Sequence, residues 1–317
     1  MRFFTKQTGW AAGMLLMLAV GCKKEIDPAT ATPAEACRLQ TETYTSDYGP
    51  SQRTYAYDGS GNMVSSLKSS TSVNGIQTTR YDYQYDASGL LVQQIESYKS
   101  TFSESKETNT YQYDKGRLTK QTSILGSSTS TKAYEYASDG ALTKYVETWG
   151  SDIRTFLFTN GKLTSADYKS ATKTYPSTVV DGRITRQFFY EDTSPVFSLL
   201  EYNGNGQIRK ISIVDDKGNA SKDRPAVEFE YETQSIKLPA PVAFKGHPAF
   251  VLYGSEEALR RTVETYPVGS GNEKYNRTED YQYKTNSKGA VTEKTITTKV
   301  GTSTSATRAA YTYTNCQ

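Results

Sequence analysis

Few residues in the chain have side chains suited to catalysis or metal binding. His247 is the only histidine among the 317 residues, and it lies in a proline-rich stretch, 239–248. A Ser–His or Cys–His nucleophile needs the imidazole beside a hydroxyl or thiol, and the sequence contains no G-x-S-x-G turn. A zinc site needs more His and Cys ligands than the mature chain offers. We therefore interpret His247 as a loop residue, and we predict no catalytic residue, no metal and no cofactor.

Carboxylates recur at fixed places, and glycosidases use carboxylate pairs as acid, base or nucleophile. Asp58, Asp86 and Asp114 each follow a Tyr-x-Tyr pair and precede a glycine. That place suits a residue that starts a tight turn, because a short carboxylate hydrogen-bonds the backbone two residues on. The segment 215–219, Asp-Asp-Lys-Gly-Asn, lacks the alternating ligands and distal glutamate of a calcium loop. We interpret all of these residues as turn residues.

Trp149 is the only tryptophan after the first 21 residues. An indole ring is a large apolar surface, which serves either the packing of a core or the stacking of a sugar. Core packing is the more common use of such a residue. We keep Trp149 as a weak candidate for ligand binding, and the ligand-binding residues are otherwise unknown.

An eight-residue pattern, Tyr-x-Tyr-Asp-x-x-Gly-Leu, organises the chain, and 83–90 is one clear copy. A period of two places the tyrosines on one face of a strand. The aspartate starts a turn, the glycine supplies a positive φ, and the leucine begins the return strand. Other copies start at residues 55, 111 and 134, and weaker ones follow near 156, 179 and 202. Each copy therefore predicts a β-hairpin, and consecutive hairpins predict one continuous meander.

The composition limits the fold that these hairpins can form. Apolar residues make up 36% of the chain and the mean hydropathy is −0.65, which argues against a thick core. We predict an all-β fold, a long antiparallel meander of about 16–20 strands forming one curved or rolled sheet. A closed barrel or a propeller-like closure is the alternative. Residues 37–317 form a single domain, with an irregular insertion near 233–260 where the pattern stops and prolines accumulate.

The first 36 residues have a different character from the hairpin region. A basic start and an apolar run over 9–20, too short for a comfortable membrane span, predict a signal peptide over 1–21. The run ends in Leu-Ala-Val-Gly-Cys, which resembles a bacterial lipobox and implies lipidation of Cys22 and membrane anchoring through the lipid. The alternative is an ordinary signal peptide with a chance cysteine. Residues 22–36 are charged and then rich in Pro, Ala and Thr, which predicts a flexible tether.

Cys37 and Cys316 stand at the two ends of the hairpin region. In an oxidising envelope compartment they are expected to form a disulfide, which would require the first and last strands to lie close together. The alternative is two unpaired buried thiols.

The copy at 111–119, Tyr-Gln-Tyr-Asp-Lys-Gly-Arg-Leu-Thr, resembles the YD repeat of Rhs-type bacterial proteins. The chain also resembles lipoproteins of Bacteroidota built from degenerate YD-like hairpins. The charged tract after Cys22 is similar to the surface-export signal of such lipoproteins, which implies an outer-membrane lipoprotein at the cell surface. The periplasmic face of that membrane is the alternative. Rhs proteins wind these strands into a shell around a toxin. This chain is shorter and its spacing drifts, so a toxin shell is not expected.

Charge and anchoring restrict the function. Removing Arg2 and Lys6 with the signal peptide leaves 35 basic residues against 34 acidic ones, with no basic stripe, which argues against a nucleic-acid partner. We expect a membrane-anchored, non-enzymatic envelope protein that binds an extracellular glycan or a protein. A structural or assembly component of an envelope complex is the alternative, and an enzyme is the least favoured.

Overall fold

A computed structural model describes residues 38–46, 49–72, 75–191, 195–233, 236, 238–239, 244–248 and 258–314 of the chain. These residues form 21 β-strands and one short 3-10 helix, Glu273–Tyr275. The strands are β1 (Arg38–Thr45), β2 (Ser51–Tyr57), β3 (Met63–Ser72), β4 (Gly75–Tyr85), β5 (Leu91–Lys99), β6 (Glu104–Asp114), β7 (Arg117–Leu125), β8 (Ser128–Tyr136), β9 (Leu142–Trp149), β10 (Asp152–Thr159), β11 (Lys162–Lys169), β12 (Thr174–Pro176), β13 (Thr178–Val180), β14 (Arg183–Glu191), β15 (Pro195–Tyr202), β16 (Ile208–Val214), β17 (Ala226–Tyr231), β18 (Leu259–Thr265), β19 (Arg277–Thr285), β20 (Val291–Val300) and β21 (Ser303–Thr314). None of the described residues forms a helix long and apolar enough to cross a membrane.

All 21 strands belong to one antiparallel sheet that rolls into a nearly closed, barrel-like ring. Except between β12 and β13, each strand pairs with its neighbours along the chain, and β1 also pairs with β21 from Arg38 opposite Thr314 to Thr45 opposite Arg308. The first and last strands therefore lie side by side, and the ring leaves no free edge at the chain ends. The predicted all-β meander is confirmed, and the sheet takes the rolled form with the barrel-like closure.

The ring has one seam, at the strand pair β12 and β13. The two strands run in the same direction and are separated only by Ser177. β12 pairs with β11 on one side, whereas β13 pairs with β14 on the other. The Ser177 amide donates to the Ala166 carbonyl at 2.7 Å, which holds the interruption against β11. Counting β12 and β13 as one broken strand gives 20 strands, the upper end of the predicted range, and the separate strands give 21.

The repeated turns lie together at one end of the ring, here called the turn end, and the opposite end is called the distal end. In the turn after β4, the Asp86 carboxylate accepts the amides of Ser88 and Leu90 at 2.8 and 2.9 Å. Gly89 has φ +78°, a conformation that a β-carbon disfavours. Asp215 accepts the amides of Lys217 and Asn219 in the same way, although its turn lies at the distal end. These contacts support the interpretation of the aspartates as turn residues.

The second tyrosine of each repeat links neighbouring hairpins at the turn end. Its hydroxyl donates to the carbonyl near the start of the preceding strand, 18 to 24 residues earlier in the chain. The distances are 2.7–2.9 Å. The pairs are Tyr57–Leu39, Tyr85–Met63, Tyr113–Leu91, Tyr136–Leu118, Tyr202–Ile184, Tyr231–Ile208, Tyr283–Leu259 and Tyr313–Val291. We call this set the tyrosine ladder.

Apolar side chains at the start of the return strands form a buried row on the inner face. Leu91, Ile184 and Val291 are each 0% exposed. The first tyrosine of several repeats packs beside this row, and Tyr145 lies between Tyr134 and Phe156 with ring centroids at 4.9 and 5.5 Å. Stacked aromatic pairs add about 0.5–1.5 kcal/mol beyond their buried area. The sheet is therefore held by aromatic rings near the turn end, where the repeats place them.

The outer face carries charged residues along the strands. Cross-strand or same-strand ion pairs join Arg80 to Asp82, Lys144 to Glu135, Arg209 to Glu201, Lys210 to Glu228, Arg260 to Glu230, Arg261 to Asp280, and Glu293 to both Lys284 and Arg308. Exposed pairs of this kind contribute about 0–1 kcal/mol each. Their main consequence is that this face is solvated and polar.

In the insertion between β17 and β18, residues 244–248 pack on the turn end. Phe244 contacts the Tyr83 ring at a centroid distance of 5.6 Å, and the Leu118 amide donates to the Gly246 carbonyl at 2.9 Å. A β-carbon at Gly246 would lie 2.3 Å from the Gly116 carbonyl oxygen, so glycine is required at this contact. β17 ends at Tyr231 and β18 begins at Leu259, so the expected insertion near 233–260 falls between these two strands, largely outside the described residues.

Several sequence predictions fall on residues outside the described ranges. They are the signal peptide 1–21, the tether 22–36, lipidation of Cys22, and the disulfide between Cys37 and Cys316. All of them stay predictions.

Candidate functional site

An aromatic cleft lies on the inner face at the distal end, beside the seam of the ring. Its volume is about 380 Å³. It is lined by Trp149, Asp152, Arg154, Tyr168, Ser170, Phe188 and Phe189. We call it the distal cleft.

Local hairpin geometry explains how β9 and β10 contribute to the distal cleft. The turn between them places Trp149 opposite Asp152, and Glu147 opposite Arg154. Phe156 on β10 is buried in the inner aromatic stack. Because alternate residues of a strand share a face, Arg154 and Asp152 follow Phe156 on the inner face toward the distal end.

Arg154 lies between two aromatic rings. Its guanidinium carbon is 5.2 Å from the centre of the Trp149 ring and 5.8 Å from that of Tyr168. Cation–π contacts of this geometry contribute about 0.5–1 kcal/mol at exposed sites and hold the cation in one orientation. Trp149 itself is 39% exposed. Core packing, the more common use of a tryptophan, is therefore not its use here, and its ring is accessible from the cleft.

The seam brings further aromatic rings to the same place. Tyr168 on β11 stacks on Phe188 of β14, with centroids 4.6 Å apart and planes 6° apart. Phe188 also stacks on Tyr175 of β12 at 4.2 Å. Since β12 has only three residues, β11 and β14 approach each other on either side of it. The short strand thus creates an aromatic platform at the distal cleft.

The two carboxylates near Arg154 each accept a hydrogen bond from a tyrosine hydroxyl. Tyr168 is hydrogen-bonded to Asp152; burial, followed by that bond, raises the pKa of Tyr168 above its ordinary value. Tyr145 donates to Glu147, and burial and the Glu147 charge raise the pKa of Tyr145 strongly. Both tyrosines therefore stay neutral donors at physiological pH. Ser170 accepts the amides of Thr172 and Lys173 and so serves the adjacent turn.

A second polar group lies on the inner face near the strands that close the ring. Glu42 on β1 is 9% exposed and accepts the Tyr44 hydroxyl at 3.4 Å. The Arg53 guanidinium lies over the Tyr81 ring at 5.8 Å. Burial lowers the pKa of Lys294, whose ammonium lies 5.2 Å from the Tyr281 ring centre. Glu42 interacts electrostatically with Arg53 and Lys294, and both cations lie over neighbouring rings, so we interpret these groups as part of the sheet's inner packing.

His247 lies at the other end of the ring, away from the distal cleft. Its Nε2 is 3.0 Å from the Tyr113 hydroxyl, which already donates to the Leu91 carbonyl. The hydroxyl oxygen therefore accepts from His247, and Nε2 carries the proton in this contact. The histidine ring also packs against Tyr111 and Phe244. Its position fits the interpretation as a loop residue that attaches the insertion to the sheet.

Among the described residues, no group of three or more His, Cys, Asp or Glu side chains is arranged to hold a metal ion.

Sequence reasoning found Trp149 but missed its partners Arg154, Tyr168 and Phe188. One signal was present for Arg154: the Gly150 turn predicts a hairpin in which 149, 152 and 154 share a face. Tyr168 and Phe188 carry no such signal, because only the seam brings them together.

No family model matches the chain, and no curated protein matches it. Among solved structures, it is similar to a porin-like protein from Bacteroides uniformis, with 13% identity over 87% of this chain and 96% of that one, at a TM-score of 0.41. It is also similar to a porin-like protein from Bacteroides vulgatus, with 8% identity over 88% of this chain and 99% of that one, at a TM-score of 0.35. A third likeness is to TcdB2-TccC3-TEV, with 13% identity over 87% of this chain and 15% of that one, at a TM-score of 0.35. These values are too low to assign the chain to a family.

Proposed function

We propose that the protein is a lipid-anchored protein of the cell envelope that binds an extracellular glycan in the distal cleft and does not transform it. The observation that carries this proposal is the cleft itself, in which Trp149 offers an accessible ring beside the Tyr168–Phe188 stack. Aromatic faces pack on the apolar C–H faces of sugars. Asp152 and Arg154 supply the convergent polar groups that fix a ligand's orientation in such a cleft.

The polar outer face supports an anchored protein whose sheet is surrounded by water. A sheet that faced lipid would need apolar residues on that side, and charged residues there are costly. The outer face instead carries the ion pairs described above. Attachment to the membrane would then rest on Cys22, in an outer-membrane lipoprotein exposed at the cell surface or, as the alternative, on the periplasmic face.

The test is a glycan array followed by titration calorimetry on the full-length chain, with Trp149→Ala compared with the unaltered protein. Saturable binding that Trp149→Ala weakens by tenfold or more supports the proposal. Phe102→Ala is the matched control, because Phe102 is an aromatic residue 81% exposed at the distal end and outside the cleft. Absence of binding to every glycan on the array, by a folded protein, would refute the proposal.

A structural or assembly component of an envelope complex is the second candidate. Phe102 and Val268 favour it, since both are strongly exposed apolar side chains at the distal end, at 81% and 98%. Binding to a protein partner would remove these two side chains from water, which is favourable for apolar surface. A stoichiometric envelope protein that co-purifies with the chain and is lost on Phe102→Ala, together with no glycan binding, would replace the first proposal with this one.

A further inference from the structure

Arg154 makes no direct ion pair with any described carboxylate, although Glu147 lies opposite it on β9 and Asp152 two residues away on β10. Its guanidinium lies over the rings of Trp149 and Tyr168, and no carboxylate of a described residue lies within ion-pair distance of it. The two nearby carboxylates are engaged with tyrosine hydroxyls, Glu147 with Tyr145 and Asp152 with Tyr168. The guanidinium is thus held in position by aromatic rings while its N–H donors remain available to the distal cleft.

A guanidinium in this state is suited to an anion. It presents up to five N–H donors in a planar fork that matches the oxygens of a carboxylate or sulfate. Charge-assisted hydrogen bonds of this type are about twice as strong as neutral ones. The two ring contacts restrain the guanidinium before a ligand binds, so less conformational freedom is lost on binding.

The charge of the whole cleft limits how acidic the ligand is. Asp152 lines the cleft and Glu147 lies opposite Arg154, so their two carboxylates repel any anionic group that is not placed directly at the guanidinium. The remaining lone pairs of the Asp152 carboxylate are suited to accept hydrogen bonds from sugar hydroxyls. The arrangement therefore matches a sugar that places one anionic group at Arg154 and hydroxyls at Asp152, with its apolar face on Trp149.

We propose that the glycan bound in the distal cleft is an acidic saccharide, whose carboxylate or sulfate pairs with Arg154. This inference rests on the proposed function and names the class of ligand. Arg154 then determines specificity between acidic and neutral sugars, and Trp149 supplies affinity for both.

The test compares matched pairs of oligosaccharides on the full-length chain. Uronic-acid oligosaccharides are paired with their carboxyl-reduced forms, and sulfated oligosaccharides with their desulfated forms. We expect at least one acidic member to bind tenfold or more tightly than its neutral partner, and the affinity to fall with added salt. The acidic member that binds distinguishes a carboxylate from a sulfate.

Variants separate this inference from the proposed function. Arg154→Gln should remove the preference, so that the acidic member and its neutral partner bind with similar affinity, and Arg154→Lys should keep part of the preference. Arg80→Gln, on the outer face, is the control for loss of a positive charge, and it should change neither the affinity for the acidic member nor that for its neutral partner. Equal binding of acidic and neutral members, with Trp149→Ala weakening both, would overturn the acidic ligand and leave the glycan-binding proposal standing. No binding to any member would overturn both.

Discussion

The Tyr136 hydroxyl donates a 2.8 Å hydrogen bond to the Leu118 carbonyl oxygen, 18 residues earlier in the chain. Backbone pairing between β7 and β8 begins only at Lys120 opposite Ala133. The tyrosine hydroxyl therefore connects the two strands beyond the point where their backbone pairing stops, and it links the β6–β7 hairpin to the β8–β9 hairpin. The Arg117 guanidinium lies over the same ring at 6.0 Å.

Tyr136→Phe tests what this link contributes. The substitution removes one hydroxyl and leaves the ring in place, so the Leu118 carbonyl loses its partner. We expect a loss of about 0.5–1.5 kcal/mol in the free energy of unfolding, measured by urea denaturation followed by circular dichroism.

Tyr275→Phe is the matched control, because Tyr275 is 52% exposed on the 3-10 helix outside the tyrosine ladder. It should change the free energy of unfolding by less than about 0.5 kcal/mol. If the two substitutions lowered the free energy of unfolding equally, the hydrogen bond from Tyr136 to Leu118 would contribute no more to stability than an exposed hydroxyl does.

Gly246→Ala tests whether the insertion is fixed to the turn end. A β-carbon there would lie 2.3 Å from the Gly116 carbonyl oxygen, and φ at Gly246 is +78°. We expect the insertion to separate from the sheet and to be cut by a protease at much lower concentration than in the unaltered protein, since detached loops are preferred cleavage sites.

The control for the insertion is Gly218→Ala. Gly218 also has a positive φ, +88°, but no atom lies within 4 Å of a β-carbon built on it. It carries the backbone strain, about 1–2 kcal/mol, without the clash. If Gly218→Ala made the insertion equally sensitive to protease, the packing of Gly246 would not be what holds it.

Alkaline pH should unfold the protein through the tyrosine ladder. Burial raises the pKa of Tyr57, Tyr136, Tyr283 and Tyr313 to about 12, above the ordinary value of 10.0. A raised pKa in the folded state means that the associated stability is fully present below pH 10 and is lost as the pH rises toward 12. The loss is about 1.4 kcal/mol per pH unit for each such tyrosine at most.

The measurement is absorbance of tyrosinate at 295 nm together with far-ultraviolet circular dichroism. We expect these tyrosines to ionise in the same narrow pH range in which the sheet unfolds, above pH 10. Gradual ionisation near pH 10 with an intact sheet would contradict the burial of their hydroxyls.

The disulfide between Cys37 and Cys316 is the prediction that follows from the two chain ends. Arg38 and Thr314 are opposite each other in the β1–β21 pair, and each is within two residues of one of the cysteines. We expect the protein secreted into an oxidising compartment to have a mass lower by two hydrogens than its reduced form. Loss of the bond should cost about 2–5 kcal/mol of stability.

Three variants test that bond by thermal unfolding. Cys37→Ser, Cys316→Ser and the double variant should unfold at the same lowered temperature, because either single change breaks the bond. Cys22→Ser should leave the unfolding temperature unchanged, since Cys22 lies in the predicted tether. A reductant that leaves the unfolding temperature of the unaltered protein where it was would disprove the disulfide.

The repeats predicted most of the fold because each one contains the alternating strand residues and the turn residues of a complete hairpin. The alternation of Tyr83 and Tyr85 determines a face, and Asp86 and Gly89 determine a turn, so hairpins and their order follow from the sequence. The course of the insertion did not follow, because Phe244 and Gly246 dock on strands more than a hundred residues away. The seam could not be predicted from the sequence either, since a three-residue strand such as β12 is too short to show the alternation of buried and exposed residues.

The distal cleft was predicted only in part for the same reason. Trp149 is conspicuous as a rare residue, and Arg154 follows it in the same hairpin. Tyr168 and Phe188 come together because β11 and β14 meet across the short strand β12. The repeats on either side of the seam do not predict contacts that form only across it.

The pairing of β1 with β21 also limits how the chain can evolve. An open array of repeats gains or loses a unit at its end with little effect on the rest. In a ring, one more hairpin adds two strands and about 9.6 Å of circumference, since neighbouring strands lie about 4.8 Å apart. Every inner-face contact would then shift, including the insertion on the turn end. Duplication of a repeat, which is neutral in a solenoid, would here require the entire interior to be repacked at once.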